Sequence, residues 1–394
     1  MIERDLASRA RKAAEGFPIV TITGPRQSGK STLCRGVFPG RAYANLELPD
    51  SRRFAQEDPR AFLAGFPEGA ILDEVQRCPQ LLSYLQVMVD DDPAPGRWVL
   101  TGSQNLLLLE SVSQSLAGRA AILHLLPLSR REMRRFDRYP ESLDETLLTG
   151  GYPAIPDKGL SAPDWLGSYV ASYIERDVRT ITNVGDLTAF QRFVELCAGR
   201  TGQLLNLSAL ASDTGITQPT AKSWLSILET SFLVFRLRPF HANLRKRLVK
   251  MPKLYFHDTG LVCWLLGIRS VDQLRNHPLR GSVFETWVVS EIVKHRMNRG
   301  EHSGVFFLRD QHGTEVDVVV DRGDGLLAVE AKSGQTVTED MLRMARRGRS
   351  LLGAAGAAKA FLVHGGDTHQ PRQDITVLPW EALDQQQWTP DEEE

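Results

Sequence analysis

The sequence predicts an α/β protein built from more than one domain, and three observations support this prediction. Apolar, β-branched segments alternate with helical patterns over residues 1–135, which is typical of a mostly parallel sheet with helical crossovers. Residues 142–200 are rich in helical patterns and lack strong strands. Beyond residue 278, a helix, three strands, a second helix and a further strand follow one another. A chain of 394 residues has room for two or three such domains.

Composition narrows the class of protein. The formal net charge is −1 and 42% of the residues are hydrophobic, so binding to nucleic acid or to an acidic membrane would need local basic patches. The four cysteines are far apart in the sequence, which favours reduced thiols. No apolar run approaches the ~20 residues of a membrane span, and the N-terminus lacks the layout of a signal peptide. We therefore expect a cytoplasmic protein with no membrane partner.

The expected secondary structure follows from hydrophobic period and from glycine and proline positions. In the first region we expect strands at residues 19–23, 41–47, 69–73, 97–101 and 120–126, and helices at 1–15, from residue 30 onward and at 79–90. In the middle, residues 164–184 carry a helical pattern. In the last region we expect helices at 281–298 and 338–349, and strands at 305–309, 315–320, 326–332 and 359–364.

The first chemical motif is the loop of residues 24–31, which has the pattern GxxxxGK[ST]. Gly24 and Gly29 allow the backbone to wrap closely around phosphates and to point its amides at them. Lys30 reaches the β- and γ-phosphates, and the Ser31 hydroxyl binds magnesium. The helix that follows adds the positive potential of its N-terminus. We therefore predict ATP and Mg²⁺ as cofactors. The predicted nucleotide-binding residues here are Gly24, Pro25, Arg26, Gln27, Ser28, Gly29, Lys30, Ser31 and Thr32.

The second motif is the acidic pair Asp73 and Glu74, which follows the apolar run of residues 69–72. Ligands of open α/β sheets bind at the carboxyl ends of the strands, where these acids are expected. Asp73 would hold magnesium through water, and Glu74 would polarise the attacking water. Glu74 and Lys30 are therefore the candidate catalytic residues of this site.

A third strand end reads Thr101-Gly102-Ser103-Gln104. Either Thr101 or Ser103 could place a hydroxyl near the γ-phosphate, and a plain turn is the alternative. Arg119 is a candidate cation for the nucleotide's transition state, in competition with Arg176 and Arg179.

The order of the phosphate loop, the acidic strand end and the Thr-Gly-Ser strand end resembles that of the AAA-type ATPases. The resemblance implies ATP hydrolysis. Such enzymes commonly form rings or use an arginine from a neighbouring subunit, so the resemblance also makes a homo-oligomer plausible.

Residues 206–230 have the pattern of a helix-turn-helix. Gly215 permits the turn, Thr217 can cap the second helix, and Pro219 suits its first turn. Segments 232–238 and 254–257 could be the strands of a wing. The expected buried stripe of the second helix is Ala221, Trp224, Leu225 and Leu228. The outward residues Gln218, Thr220, Lys222 and Ser223 could meet a DNA groove or backbone.

A basic run follows this motif, with no acid from Arg236 to His257. Clustered cations release counterions from phosphates, so the run predicts DNA as a partner. The second helix carries only one lysine, however, and winged helices can also pack against proteins. The cations of the run are Arg236, Arg238, His241, Arg245, Lys246, Arg247, Lys250 and Lys253.

The last constellation consists of Glu285, Asp317, Glu330 and Lys332. Glu330 and Lys332 share one face of a strand because side chains alternate with a period of two. The three acids, Glu285, Asp317 and Glu330, could hold one or two divalent metals beside a phosphodiester. Asp317, Glu330 and Lys332 are candidate catalytic residues, with the lysine positioning or deprotonating water. The alternative is that Glu330 and Lys332 form the exposed polar face of an edge strand.

This order of elements and acids resembles the restriction-endonuclease-like nucleases. The whole chain resembles a prokaryotic family of AAA-type ATPases joined to such a C-terminal domain, and shares with it the motifs at residues 150–153 and 258–260. We accordingly expect an AAA-type ATPase core at 1–135, a helical lid-like segment at 136–200, a winged helix-turn-helix at 201–262 and a restriction-endonuclease-like domain at 263–390.

Three functions remain open at this point. In the first, ATP binding and hydrolysis control how the winged-helix and nuclease-like domains engage DNA. In the second, the protein is a metal-dependent DNA nuclease gated by ATP. In the third, it is an ATPase signalling switch whose nuclease-like domain is inert and binds protein partners.

Overall fold

The computed structural model describes residues 2–103, 116–174, 186–240, 250–310, 313–353 and 358–390. The chain forms two compact units. The first comprises Met1–Leu128 with Thr230–Phe232 and Met297–Gly300, and the second comprises Ser129–Glu229, Leu233–Arg296 and Glu301–Glu394. The predicted divisions at residues 200 and 262 both fall inside the second unit.

A five-stranded parallel sheet forms the centre of the first unit. Its strands are β1 Ile19–Thr23, β2 Ala42–Asn45, β3 Ala70–Asp73, β4 Trp98–Gly102 and β5 Ala120–His124. They lie side by side in the order β2-β3-β4-β1-β5. All five predicted strands are thereby confirmed. Thr23 lies opposite Gly102 and His124, and Asn45 lies opposite Asp73, so the carboxyl ends of the strands meet at one edge.

Helices cover both faces of this sheet. Successive residues of one strand pack into different hydrophobic clusters: Ile71 belongs to one cluster and Leu72 to the other. Burial on both faces explains why the strands read as continuous apolar runs. Within the described part of the unit, the helices are Leu6–Gly16, Lys30–Val37, Pro49–Glu57, Pro59–Ala64 and Leu81–Asp91, with a 3₁₀ turn at Val75–Arg77.

Two of these helices, Pro49–Glu57 and Pro59–Ala64, were not predicted from the sequence. Each begins with proline, a favourable first residue. The first buries only Ala55, so it has almost no apolar stripe to reveal it.

The second unit contains a nine-stranded mixed sheet, in the order β13-β14-β12-β11-β10-β9-β7-β8-β6. Strand β10 is antiparallel to both of its neighbours, β9 and β11, and β12 is parallel to β11. The strands are β6 Gln203–Leu204, β7 Val234–Pro239, β8 Lys253–Phe256, β9 Val305–Arg309, β10 Glu315–Asp321, β11 Leu326–Lys332, β12 Ala358–His364, β13 Gln370–Pro371 and β14 Ile375–Pro379.

The predicted wing strands continue this C-terminal sheet. Strand β7 pairs with β8 in antiparallel fashion and with β9 in parallel fashion, Arg238 lying opposite Phe306. This junction could not be predicted from the sequence, because pairing between strands distant in the chain leaves no local pattern.

The helices of the second unit include both members of the predicted helix-turn-helix, Leu207–Thr214 and Gln218–Thr230. Gly215 between them has φ +81°, and the Thr217 hydroxyl accepts from the Thr220 amide at 3.3 Å. The predicted apolar stripe of the second helix is buried. The other helices are Arg130–Met133, Leu143–Thr149, Ala154–Lys158, Ala162–Tyr169, Leu187–Ala198, Thr259–Leu265, Val271–Arg275, Arg280–Asn298 and Glu339–Gly353, with a π-helical turn at Val170–Ile174 and a 3₁₀ turn at Trp380–Gln385.

The order helix, three strands, helix, strand predicted beyond residue 278 is present. In the middle, the predicted helical stretch 164–184 is described only as far as residue 174. Among the described residues, no helix is both long and apolar enough to span a bilayer.

The short sequence motifs at residues 150–153 and 258–260 are hydrogen-bonded to each other in the second unit. The buried Asp258 caps the helix Thr259–Leu265 by accepting from the Leu261 amide at 2.8 Å, and it also accepts from the Gly151 amide at 2.6 Å. A side chain at Gly150, where φ is +69°, would overlap this carboxylate. The carboxylate therefore joins the Gly150-Gly151 turn to the start of a helix more than 100 residues further along the chain.

We expect Asp258→Ala to destabilise the protein by about 2–4 kcal/mol, because it removes a helix cap and leaves the buried Gly151 amide without its acceptor. Urea denaturation of the full chain measures the loss. Asp186→Ala is the matched control, since exposed Asp186 caps the helix Leu187–Ala198 only, and should cost about 1 kcal/mol. Equal losses for the two variants would contradict the role given to the Gly151 bond.

Candidate functional sites

The phosphate loop connects β1 to the helix Lys30–Val37. Gly24 has φ +156°, and a side chain there would overlap the Leu125 carbonyl oxygen. Gly29 has φ +93° and stands immediately before the helix. Both predicted glycine positions thus have backbone conformations that favour glycine.

The side chain of Lys30 folds back onto this loop. This side chain is buried, and its Nζ donates to the carbonyl oxygens of Gly24 at 3.0 Å and Pro25 at 2.8 Å. Burial lowers the pKa of Lys30 to about 8, although the negative charges of Glu74 and Asp73 oppose the change. Its two hydrogen bonds hold the amine against the backbone of the loop.

Asp73 accepts hydrogen bonds from three hydroxyl groups at the end of β3. Ser31 Oγ lies 2.8 Å and Tyr43 Oη 2.5 Å from its Oδ2, while Thr101 Oγ1 donates to Oδ1. Burial, together with the bond to Asp73, raises the pKa of Tyr43. The structure thus brings Ser31 and Asp73 together, and it adds Tyr43, which sequence reasoning missed because a lone tyrosine in a strand carries no motif.

Glu74 follows Asp73 in the left-handed conformation, with φ +57°. Its carboxylate accepts from Ser103 Oγ at 3.1 Å and from Gln76 Nε2 at 2.5 Å. Non-glycine residues rarely adopt this conformation, and functional sites are enriched in such residues. Of the two hydroxyls left open by the sequence, Ser103 contacts Glu74 and Thr101 contacts Asp73.

Arg4 stabilises the phosphate loop through hydrogen bonds to backbone carbonyl groups. Its guanidinium donates to the carbonyl oxygens of Ser28 at 2.7 Å and Leu126 at 2.8 Å, and the residue is buried. No pattern in the sequence marked Arg4, because it precedes the first helix and contacts residues distant in the chain.

The remaining predicted loop residues differ in exposure. Ser28 is fully buried, Arg26 is half-buried, and Gln27 is exposed with φ +62°. Thr32 is exposed in the first turn of the helix.

Arg119 does not join this site within the chain, contrary to the prediction. It directly precedes β5, whose first residue Ala120 lies opposite Ile19 at the amino end of β1. The loop leaves the other end of β1, so Arg119 is displaced by roughly 15 Å along the strand direction. There its Nη2 pairs with Asp90 Oδ2 at 2.9 Å. The competing candidates, Arg176 and Arg179, lie outside the described residues.

We expect Arg4→Met to weaken ATP binding about tenfold, because the loop carbonyl of Ser28 loses a charged donor. Titration with a fluorescent ATP analogue measures this change. Arg11→Met removes an exposed arginine from the neighbouring helix and should leave affinity unchanged. Unaltered affinity in the Arg4 variant would show that the loop keeps its shape without this support.

The second candidate site lies in the second unit and gathers Glu285, Asp317, Glu330 and Lys332. Lys332 Nζ is 2.6 Å from Glu330 Oε1 and 3.8 Å from Asp317 Oδ2. Asp317 Oδ2 also accepts from the Ala331 amide at 2.9 Å. Glu330 is buried, so the alternative of an exposed polar face does not hold for it.

Three residues that the sequence analysis did not assign to this site complete it. Lys253 Nζ lies 2.8 Å from Glu285 Oε1 and also pairs with Glu315. Tyr255 Oη donates to the same Glu285 oxygen at 2.5 Å. Carboxylate oxygens of Glu285, Glu315 and Asp317 all lie within 4.8 Å of one another.

Burial and the interactions among neighbouring charges shift the pKa values of the side chains in this cluster. Burial, and then the Asp317 charge, raises the pKa of Glu285 to about 7 and that of Glu330 to about 8. For Lys253, burial alone would lower the pKa, but the carboxylates of Glu285, Asp317 and Glu315 outweigh it and raise the pKa. Lys253 therefore stays positively charged.

The predicted DNA-facing surface is only partly described. On the second helix of the helix-turn-helix, Gln218, Lys222 and Ser223 are exposed, and Thr220 is half-buried. The basic run contributes fewer surface charges than predicted. Lys253 is buried in the acidic cluster, and Arg236 Nε pairs with Glu229 Oε1 at 2.5 Å. Arg238 and Lys250 are exposed, whereas His241, Arg245, Lys246 and Arg247 lie outside the described residues.

Comparison with known families matches three parts of the chain. Residues 16–134 match the family described as AAA domain, residues 140–272 a domain of unknown function (DUF8612) and residues 280–383 another domain of unknown function (DUF4143). The prediction of an N-terminal AAA-type ATPase domain is thereby confirmed. The winged-helix and nuclease-like domains remain predictions.

Two curated relatives are the uncharacterized proteins Rv2008c of Mycobacterium tuberculosis and Mb2031c of Mycobacterium bovis. Each is 30% identical over 379 residues, which cover 95% of this chain and 82% of the relative. Among solved structures, the Walker-type ATPase PABY2304 of Pyrococcus abyssi is 16% identical over 66% of this chain and 94% of its own, with a TM-score of 0.47. AMPPCP-bound DnaA from Aquifex aeolicus is 13% identical over 57% and 86%, with a TM-score of 0.30.

Proposed function

The chain belongs to the family of these two mycobacterial proteins, and from this premise we propose that it binds and hydrolyses ATP and that its nucleotide state controls engagement of DNA. The first part of the proposal is supported by the AAA domain and by the side chains that meet at the carboxyl edge of the parallel sheet. The second part is supported by the helix-turn-helix and its exposed polar residues.

The residues of the phosphate loop fit a nucleotide with Mg²⁺. Lys30 and the loop amides would hold the β- and γ-phosphates. The Ser31 hydroxyl and the Asp73 carboxylate, 2.8 Å apart, are oxygen donors of the kind that Mg²⁺ prefers. When bound, Mg²⁺ would neutralise charge on the phosphate oxygens.

The observation that carries the hydrolysis proposal is the way Glu74 is held. Ser103 and Gln76 donate to its carboxylate, and the left-handed backbone fixes its direction at the end of β3. It directly follows Asp73, which accepts from Ser31 at the end of the phosphate loop, so it lies near the place where the γ-phosphate would be bound. A carboxylate so placed can orient the attacking water and accept its proton.

We expect Glu74→Gln to lower kcat for ATP by about 100-fold or more, because the amide cannot accept the proton of water. ATP affinity should stay close to that of the unaltered protein, since Glu74 is not expected to bind the phosphates. Release of phosphate with saturating ATP and Mg²⁺ measures the rate, and a fluorescent analogue measures binding.

Two further variants make this test specific. Glu68→Gln alters an exposed acid near the opposite end of β3 and should leave the rate unchanged. Lys30→Ala should abolish both binding and turnover. Turnover that survived in the Glu74 variant would remove Glu74 from the proposed mechanism, and an unaltered chain without turnover would limit the protein to binding ATP.

The DNA proposal rests on the exposed surface of the helix Gln218–Thr230 and of β7. Lys222 and Arg238 are exposed and have room to reach phosphates, while Gln218 and Ser223 can donate to the backbone or to base edges. The small number of described cations predicts moderate affinity that falls as salt rises.

Fluorescence anisotropy with a labelled DNA duplex at two salt concentrations tests this proposal. We expect salt-sensitive binding that differs between ATP and ADP, and a loss of about 2–5-fold in affinity for Lys222→Ala and for Arg238→Ala. Lys12→Ala, which alters an exposed lysine of the first unit, is the control. If DNA failed to bind with either nucleotide, a protein partner for the helix-turn-helix would be favoured instead.

A further inference from the structure

The acidic cluster of the second unit has the carboxylates of a metal centre but also an internal cation. The resemblance to restriction-endonuclease-like nucleases implies a divalent metal at this position. By distance alone the oxygens of Glu285, Glu315 and Asp317 are suitable, since all lie within 4.8 Å of one another. Whether a metal fits therefore depends on what else lies among them.

Lys253 lies among them. Its Nζ is 2.8 Å from Glu285 Oε1 and pairs with Glu315 as well, so its ammonium contacts two of the three acids. Only 3% of the residue is exposed, so solvent screens its charge very little. A divalent ion bound to the same oxygens at about 2.0–2.6 Å would lie next to a buried positive charge, and the two would repel each other.

The backbone holds Lys253 in this place. It is the first residue of β8, and it pairs with Leu237 of β7 on one side and with Leu204 of β6 on the other. Tyr255, two residues further along β8, presents its hydroxyl to the same Glu285 oxygen. One face of β8 thus supplies two donors to Glu285, the ammonium of Lys253 and the hydroxyl of Tyr255.

The other acids of the cluster also have positive partners. Lys332 pairs with Glu330 at 2.6 Å and lies 3.8 Å from Asp317, and Arg309 lies 3.3 Å from Glu315. Three cations therefore face four carboxyl groups. Little uncompensated negative charge is left to attract a divalent ion.

We propose that the ammonium of Lys253 takes the place of a divalent metal in this centre, which is therefore closed to metal and does not cut nucleic acid by metal-activated water. The centre instead ties β8, β10 and the helix Arg280–Asn298 together by ion pairs. This inference does not depend on ATP hydrolysis.

Titration of the nucleotide-free full chain with Mn²⁺, followed by the electron paramagnetic resonance of free Mn²⁺, tests the proposal. Mn²⁺ is the probe because it accepts the same oxygen ligands as Mg²⁺. We expect the unaltered chain to bind no Mn²⁺ at this centre, and Lys253→Met to bind one Mn²⁺ per chain there. That gain should disappear in the double variant Lys253→Met with Asp317→Asn.

Lys253→Arg keeps the charge and should gain no Mn²⁺, which separates charge from local packing. Because Lys253→Met could unfold, Asp317→Asn alone provides an independent arm. In the unaltered background it should leave Mn²⁺ binding unchanged. Loss of a bound Mn²⁺ in that single variant would overturn the proposal, as would a folded Lys253→Met chain that gained none.

Discussion

Three hydroxyl groups donate to the Asp73 carboxylate, and the geometry of the nucleotide site depends on these bonds. A buried carboxylate is costly unless its oxygens are hydrogen-bonded. Here the donors come from three different elements: Ser31 from the helix after the phosphate loop, Tyr43 from β2 and Thr101 from β4. Because β3 lies between β2 and β4, Asp73 links the sheet to the helix that carries the loop. The position of Glu74, the next residue, follows from that of Asp73.

In the second unit, the buried carboxyl groups receive their hydrogen bonds from a different kind of donor. Its donors are mostly cations: Lys253 for Glu285 and Glu315, and Lys332 for Glu330. Hydroxyl donors leave a carboxylate with its negative charge, so Asp73 still suits Mg²⁺. Ammonium donors cancel the charge, so the C-terminal acids do not. Two clusters of similar composition are therefore expected to differ in what they bind, and we propose that metal-dependent chemistry is confined to the AAA-type domain.

The sequence predicts most of the elements but fewer of the contacts. Gly24, Lys30, Asp73 and Glu74 could be assigned because their motifs are local and their spacing follows from a strand, a loop and a helix. Arg4 and Tyr43 could not, since each acts through residues distant in the chain. Arg119 was misplaced because the sequence alone did not say which edge of the sheet it would occupy. Lys253 was counted among surface cations, although the pairing of β8 with β6 and β7 turns it into the core.

The difference between the Asp73 site and the acidic cluster of the second unit is tested most directly by the number of Mn²⁺ ions bound per chain in the presence of a non-hydrolysable ATP analogue. Electron paramagnetic resonance of the full chain gives the number of ions bound. We predict one Mn²⁺ per chain, dependent on the nucleotide and lost in Asp73→Asn. A second bound ion that disappears in Asp317→Asn would contradict the account, and so would nucleotide binding that recruits no ion at all.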